Sequence, residues 1–230
     1  MKTIGLLGGM SWESSALYYK TVNELVKERL GGLHSARCIM VSVDFAEIEQ
    51  LQASGDWQKA GELLADEARA LEAGGADFIV LCTNTMHKVA EAIEAAVRIP
   101  LLHLADVTAH AVQRAGLQSV GLLGTAFTME QSFYRDRIAS HGLEVIVPDA
   151  EQRQSVHRVI YQELVLGIVT EESRAQYTAI IESLQARGAQ GVILGCTEIE
   201  LLVSQSNSPI PVFPTSRIHA VAAAELALSE

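Results

Sequence analysis

A chain of 230 residues, 49% hydrophobic and 20% charged, can bury a sizeable core as one large domain or two modest ones. Its formal net charge of −11 argues against nucleic acid and against an anionic membrane surface, since both need clustered Lys and Arg. An anionic small molecule stays open, because a pocket needs only a few local donors. "MKTIGLLGGM" is too brief for a signal peptide, and no apolar run nears the ~18 residues of a membrane span. A cytoplasmic protein with no membrane partner is expected.

In chain order, β-rich runs alternate with amphipathic ones. Thr3–Leu7 reads as a strand, Trp12–Leu30 as a helix ending on Gly31-Gly32, and Cys38–Val43 as a strand. Trp57–Ala73 reads as a helix ending on Gly74-Gly75, followed by strands at Asp77–Leu81 and Leu101–Leu104. Strands at Ser119–Leu123 and Glu144–Val147 precede a helix at Glu171–Arg187 that ends on Gly188. Strands at Gly191–Leu194 and Val212–Phe213 close the series. The glycines fit left-handed caps. The alternation predicts an α/β fold with parallel sheets covered on both faces.

The pattern also repeats. "IGLLGGM" at Ile4 returns as "VGLLGTA" at Val120, 116 residues on, and "GADFIVLCTN" at Gly75 returns as "GAQGVILGCTE" at Gly188, 113 on. "PLLHLADVTA" at Pro100 and "PVFPTSRIHA" at Pro211 are 111 apart. Three landmarks in one order predict two pseudosymmetric Rossmann-like domains facing each other across a cleft. The expected boundaries are 1–99 plus 213–230 for the first, which carries Cys82, and 100–212 for the second, which carries Cys196.

The three cysteines, Cys38, Cys82 and Cys196, lack the spacing of zinc or redox motifs, and no metal site is expected. Cys38, inside "ARCIMVSV", reads as core. Cys82 and Cys196 each end a strand, where parallel sheets place their ligands. Helices expected to start at Thr83 or Asn84 and at Thr197 would lower the thiol pKa values and offer N–H groups to a carboxylate. Two such groups on opposite sides of one carbon are what a stereoinverting proton transfer needs. Thr83, Asn84, Thr85 and Thr197 are the side chains able to bind the substrate carboxylate.

Met10 is expected in the same cleft as Cys82. Thr125 and Thr128 either bind substrate or cap a helix near Ala126, and Glu198 either assists Cys196 or sits in a helix's first turn. His87 reads as a structural or supporting hydrogen-bond donor, His103 and His110 as ordinary, and Arg135 and Arg137 as solvated or interface charges. No cofactor is expected: "GLLGGM" is not G-x-G-x-x-G, and nothing matches a P-loop.

"IVLCTNTMHK" (Ile79–Lys88) and "LGCTEI" (Leu194–Ile199) resemble the two cysteine signatures of the aspartate/glutamate racemase family, which racemises amino acids without pyridoxal phosphate. Glu200, where that family carries a small residue, Asn, Arg or Pro, departs from the second. "IGLLGGMSWESS" (Ile4–Ser15) and "VDFAEIE" (Val43–Glu49) are similar to the aspartate-racemase-like, broad-specificity branch. The resemblance implies a two-domain α/β fold, a homodimer, an amino-acid substrate, and Cys82 and Cys196 as acid/base pair. Aspartate-specific members carry an Arg after the "DF" segment and a Lys on the helix matching Ile160–Gly167. Here those segments offer Glu49, Gln50 and Gln52, and Val165 and Leu166. The Gln52 amide can bind a carboxylate or a neutral polar group, which suits a broader racemase. Alternatives are a hydantoin racemase or maleate isomerase of the same superfamily, a non-catalytic amino-acid-binding protein, and a redox sensor.

Overall fold

Near-continuous apolar runs bounded by glycine favour strands buried on both faces, and these form the centres of two parallel sheets. A computed structural model of the chain describes residues 1–229. Glu230, the last position of the first expected domain, lies outside the described residues. The elements are β1 (Ile4–Gly8), α1 (Trp12–Leu30), β2 (Cys38–Ser42), α2 (Phe45–Ser54), α3 (Trp57–Ala73), β3 (Phe78–Leu81), α4 (Ala90–Ala96) and α5 (Leu104–Arg114). There follow β4 (Ser119–Gly124), α6 (Ala126–Glu130), α7 (Ser132–Ser140), β5 (Glu144–Ile146), α8 (Ala150–Gln162) and α9 (Glu171–Ala186). The chain closes with β6 (Gly191–Gly195), α10 (Ile199–Leu202), β7 (Val212–Pro214) and α11 (Thr215–Leu228).

The chain divides into two compact units, Met1–Leu104 together with the residues from His219 onward, and Ala105–Ile218. The first holds a three-stranded sheet in the order β2-β1-β3, the second a four-stranded sheet in the order β5-β4-β6-β7, and all pairings are parallel. The internal repeat is therefore a repeat of topology: β1, β2 and β3 take the places of β4, β5 and β6. The fourth place differs. The strand expected at Leu101–Leu104 is only an isolated bridge between Leu101 and Ile79, whereas its counterpart β7 pairs with β6 over three residues. Leu104 already begins α5, and its N–H is held by His87.

Helix ends follow local chemistry. Ser11, Asp44, Asp56 and Thr170 cap α1, α2, α3 and α9 with their side chains, and Asp149 forms a capping box with Gln152 at α8. Within the expected Gly74-Gly75 cap after α3, Gly75 is the left-handed residue (φ 95°), and Gly74 stays right-handed at φ −71°. At Gly9 (φ 96°), a Cβ would lie 2.2 Å from the Val43 carbonyl oxygen, so only glycine fits the turn leaving β1.

Alternation along the strands sets which face each residue serves. In the first unit Leu7, Ile79 and Leu81 join an apolar cluster with Ile48, Leu64 and Leu71, while Ile4, Leu6, Phe78 and Val80 pack with Tyr18, Val22 and Ala223. In the second, Leu123, Val192 and Leu194 pack against Val159, Ile160, Ile181 and Leu184.

One buried polar group marks the first unit. His219 is fully buried, its Nε2–H donating to the Leu102 carbonyl (2.7 Å) and its Nδ1 accepting from the Tyr18 hydroxyl (3.0 Å). That pairing fits only the neutral ring. Burial above all lowers its pKa from 6.5 to about 4; the Leu102 carbonyl, next in size, opposes this, and His103 adds the smallest lowering. The unfolded chain therefore takes up a proton first, and stability present above pH 6.5 is lost as the pH falls toward 4. The loss expected from this group is about 3 kcal/mol. Denaturant titrations at pH 7 and 4.5 should register it in the wild type, and His219→Gln, less stable at pH 7, should show a smaller pH dependence. An equal pH dependence in both proteins would contradict the assignment.

Candidate functional site

Each unit gathers most of its candidates at the carboxyl ends of two adjacent strands, β1 and β3 in the first and β4 and β6 in the second. Leu7 pairs with Leu81, so the turn carrying Gly8, Gly9 and Met10 lies beside Cys82 and Thr83. Gly124 pairs with Gly195, so Thr125 lies beside Cys196. Period two gives the cysteines their direction. Cys82 continues the face of Phe78 and Val80, and Cys196 that of Val192 and Leu194.

Cys82 is wholly buried. Its N–H donates to Leu7 (2.9 Å), its carbonyl accepts from the Ser14 hydroxyl (3.2 Å), and its thiol points at the Val80 carbonyl (3.5 Å). Thr83, Asn84 and Thr85 are buried beside it. His87 reaches back to this turn: Nδ1–H donates to the Thr83 carbonyl at 2.7 Å, and Nε2 accepts from Leu104 N–H at 3.2 Å. Its ring meets His103 at 4.6 Å and His219 at 6.0 Å. His87 thus has the supporting part expected of it. Met10 is buried in the apolar cluster of Leu7, Leu51 and Met86, and Gln52, also buried, donates to the Met86 sulfur at 3.0 Å.

Cys196 keeps part of its surface open, and its thiol donates to Glu198 Oε2 at 3.0 Å. Thr197 and Glu198 are half-buried on the same turn. Thr125 caps α6 by accepting from Thr128 N–H (3.3 Å), and the two hydroxyls are 3.2 Å apart. Both are buried, and Thr128 abuts Gly195: a Cβ there would stand 3.3 Å from Thr128 Cγ2.

The expected lowering of the thiol pKa values is corrected. A 3₁₀ turn at Thr85–Val89 follows Cys82, α4 begins only at Ala90, and α10 begins at Ile199, all later than expected. Burial raises the Cys82 thiol; burial, then the Glu198 charge and its hydrogen bond, raise that of Cys196, with Glu200 adding to the effect. Magnitudes decide the sign. A helix terminus contributes roughly 0.3–1 kcal/mol, whereas full burial moves a pKa by up to about 3–5 units, each worth about 1.4 kcal/mol.

Several residues here were missed by the sequence reading. Ser14 holds the Cys82 carbonyl, and His157 Nδ1 accepts from Ala126 N–H at 3.2 Å. Ser14 lies within the "IGLLGGMSWESS" stretch but was not singled out there, and His157 lies in no motif. Glu200 was visible as a departure from its motif; it is half-buried, its pKa raised by burial, and it accepts from the Ser216 hydroxyl. Cys38 is half-buried on the edge strand β2. Arg137 forms a two-pronged pair with Asp106 at 2.7 and 2.6 Å. Arg135 is only half-exposed, with its Nε buried. Among the described residues, no group of three or more His, Cys, Asp or Glu side chains is placed to hold a metal ion, and no helix is long and apolar enough to cross a membrane.

The model of the Asp/Glu/Hydantoin racemase family matches residues 7–223. The chain belongs to that family. A crystal structure of a Yersinia pestis protein proposed to be an Asp/Glu racemase is 57% identical, with all of both chains covered and a TM-score of 0.95. An aspartate racemase homologue from Pyrococcus horikoshii OT3 is 33% identical, again over the whole of both chains, at a TM-score of 0.87. The broad specificity amino-acid racemase RacX of Bacillus subtilis is 28% identical over 165 residues, 70% of this chain and 69% of RacX. Family membership gives the paired strand-end cysteines a chemical context that burial alone withholds.

Proposed function

We propose that the protein is a cofactor-independent amino-acid racemase in which Cys82 and Cys196 exchange protons with the α-carbon. The observation that carries this is the repeated placement of one cysteine just past the carboxyl end of β3 and of another just past β6, in a chain of the racemase family. One thiolate takes the α-proton, and the electron pair of the broken C–H bond spreads into the substrate carboxylate. The other thiol gives a proton to the opposite face, and the roles reverse for the reverse reaction. A raised thiol pKa suits this chemistry, because the thiolate, once formed, is the stronger base.

Thr83, Asn84, Thr85, Thr125, Thr128 and Thr197 supply hydroxyls and amides for the substrate's polar groups, and Glu198 holds the Cys196 proton. Met10 and Gln52 complete the binding side chains. The substrate range extends beyond aspartate and glutamate. Gln52 is a neutral amide seated on Met86, and Val165 and Leu166 are apolar and exposed, so neither segment offers a cation for a second carboxylate. A cytoplasmic homodimer belongs to the same reading.

Proton NMR of L-Asp, L-Glu, homoserine, Met and Lys in D₂O with the enzyme tests it. Loss of α-proton signals across neutral side chains is expected. Loss confined to Asp and Glu would contradict the breadth, and silence throughout would contradict the activity.

A further inference from the structure

His157 sits on α8 and reaches across to the start of α6, 31 positions away in sequence. A backbone N–H can only donate, so Nδ1 is the acceptor, and the neutral ring carries its proton on Nε2. Burial lowers the His157 pKa below its ordinary 6.5, while Glu130 acts in the opposite sense. The lone pair is therefore present at neutral pH. The ring is packed against Tyr161, with centroids 4.7 Å apart, and edge-on to Phe127 at 6.4 Å.

The residue it holds is the immediate neighbour of Thr125. A short helix cannot satisfy its own first N–H groups. At α6 the Thr125 hydroxyl takes the N–H of Thr128, and His157 takes that of Ala126. Thr128 in turn packs on Gly124 and Gly195, the second of which precedes Cys196. A chain of contacts thus runs from the His157 ring through the β4–α6 turn to the strand end that bears the second cysteine.

We propose that His157 is a positioning residue, its Nδ1 lone pair fixing the β4–α6 turn so that Thr125 and Thr128 present their hydroxyls to substrate beside Cys196. The inference rests on the racemase reading above. Protonation of the ring turns Nδ1 into a donor facing a donor, releases Ala126 N–H and loosens the turn, so KM rises at acid pH. The groups around the ring can be named. From α6 comes Glu130, paired with Arg153 of α8 at 3.0 Å. From α8 itself come Tyr161 and Arg158, the latter 3.6 Å from Glu163 ahead of the 164–166 turn. From α9 comes Tyr177, whose hydroxyl donates to the Val156 carbonyl; β4 brings no titratable group.

Three variants separate this role from a merely structural one. His157→Asn keeps an acceptor at the Nδ1 position, His157→Gln places its amide at the Nε2 position, and His157→Leu keeps only bulk. KM is expected to rise roughly five- to ten-fold in His157→Gln and His157→Leu, with kcat changed less, the effect of losing one hydrogen bond. His157→Asn should stay near the wild-type KM and lose the acid limb of the wild-type kcat/KM profile. Equal behaviour of Asn and Leu, or an acid limb that survives in Asn, would overturn the proposal. An NMR titration of the Ala126 amide reads the contact without any activity. In the wild type its resonance should follow a group titrating below pH 6.5, and in His157→Asn it should not. A flat Ala126 titration in the wild type overturns the proposal whatever the activity. A titrating Ala126 in a protein inactive on every amino acid would sink the racemase reading, and with it the placing of Thr125 and Thr128 for substrate.

Discussion

Cys196→Ala and Cys82→Ala are each expected to lower racemisation by at least roughly 10²–10⁴-fold, the usual contribution of a positioned acid or base. On the proposed mechanism each removes one of two proton carriers, and the intermediate formed by one thiolate then lacks the donor for its opposite face. Chiral chromatography of the product from either enantiomer measures the loss. Folding should survive in both variants. Cys196 is partly open, and removing one buried sulfur at Cys82 costs on the order of 1–2 kcal/mol, well inside the stability of an ordinary domain. Cys38→Ala, on the edge strand, should leave the rate unchanged and serves as the control. A Cys82→Ala protein that folds and still racemises at the wild-type rate would remove that thiol from the mechanism.

The second large effect is on pH dependence. Burial raises both thiols, and the Glu198 charge raises Cys196 further. On the proposed mechanism turnover needs one thiolate and one thiol, so the rate should climb as pH rises past the ordinary cysteine range and fall again only when the second thiol ionises. If the two thiols share one reaction, as proposed, the two limbs belong to the pair. Glu198→Gln removes the carboxylate charge while keeping an acceptor, so the Cys196 thiol should ionise at lower pH. In that variant the fall at high pH, the limb set mainly by the more strongly raised Cys196, should move to lower pH. A fall that stays in place, or moves upward, would show that Glu198 does not act on the thiol through its charge.

Most of the scaffold was legible because it is written in local periodicity. The helices Trp12–Leu30 and Trp57–Ala73 fall where apolar residues three or four apart and a terminal glycine put them. The strand order β2-β1-β3 repeated as β5-β4-β6 was foreshadowed by the two copies of the "GLLG" turn. Leu101–Leu104 misled because an apolar run after proline reads as a strand. Its outcome depended on His87, 17 residues away, taking the Leu104 N–H. The sign of the thiol shifts was illegible for a related reason. A strand end suggests a helix dipole, but burial is a property of the packed chain, and it outweighs the dipole here. His157 left no trace, since a histidine on a polar helix announces nothing until α8 is packed against α6.

On the proposed mechanism two thiols, one on each face of the α-carbon, perform the inversion. The most direct measurement is the deuterium content of both enantiomers early in the conversion of a protiated L-amino acid in D₂O. Two carriers predict that the D-enantiomer appears deuterated at the α-carbon while the recovered L-enantiomer stays protiated. Deuterium entering the recovered L-enantiomer as fast as the product, or hydrogen retained in the product, would mean that a single base serves both faces, and the two-cysteine account would fail.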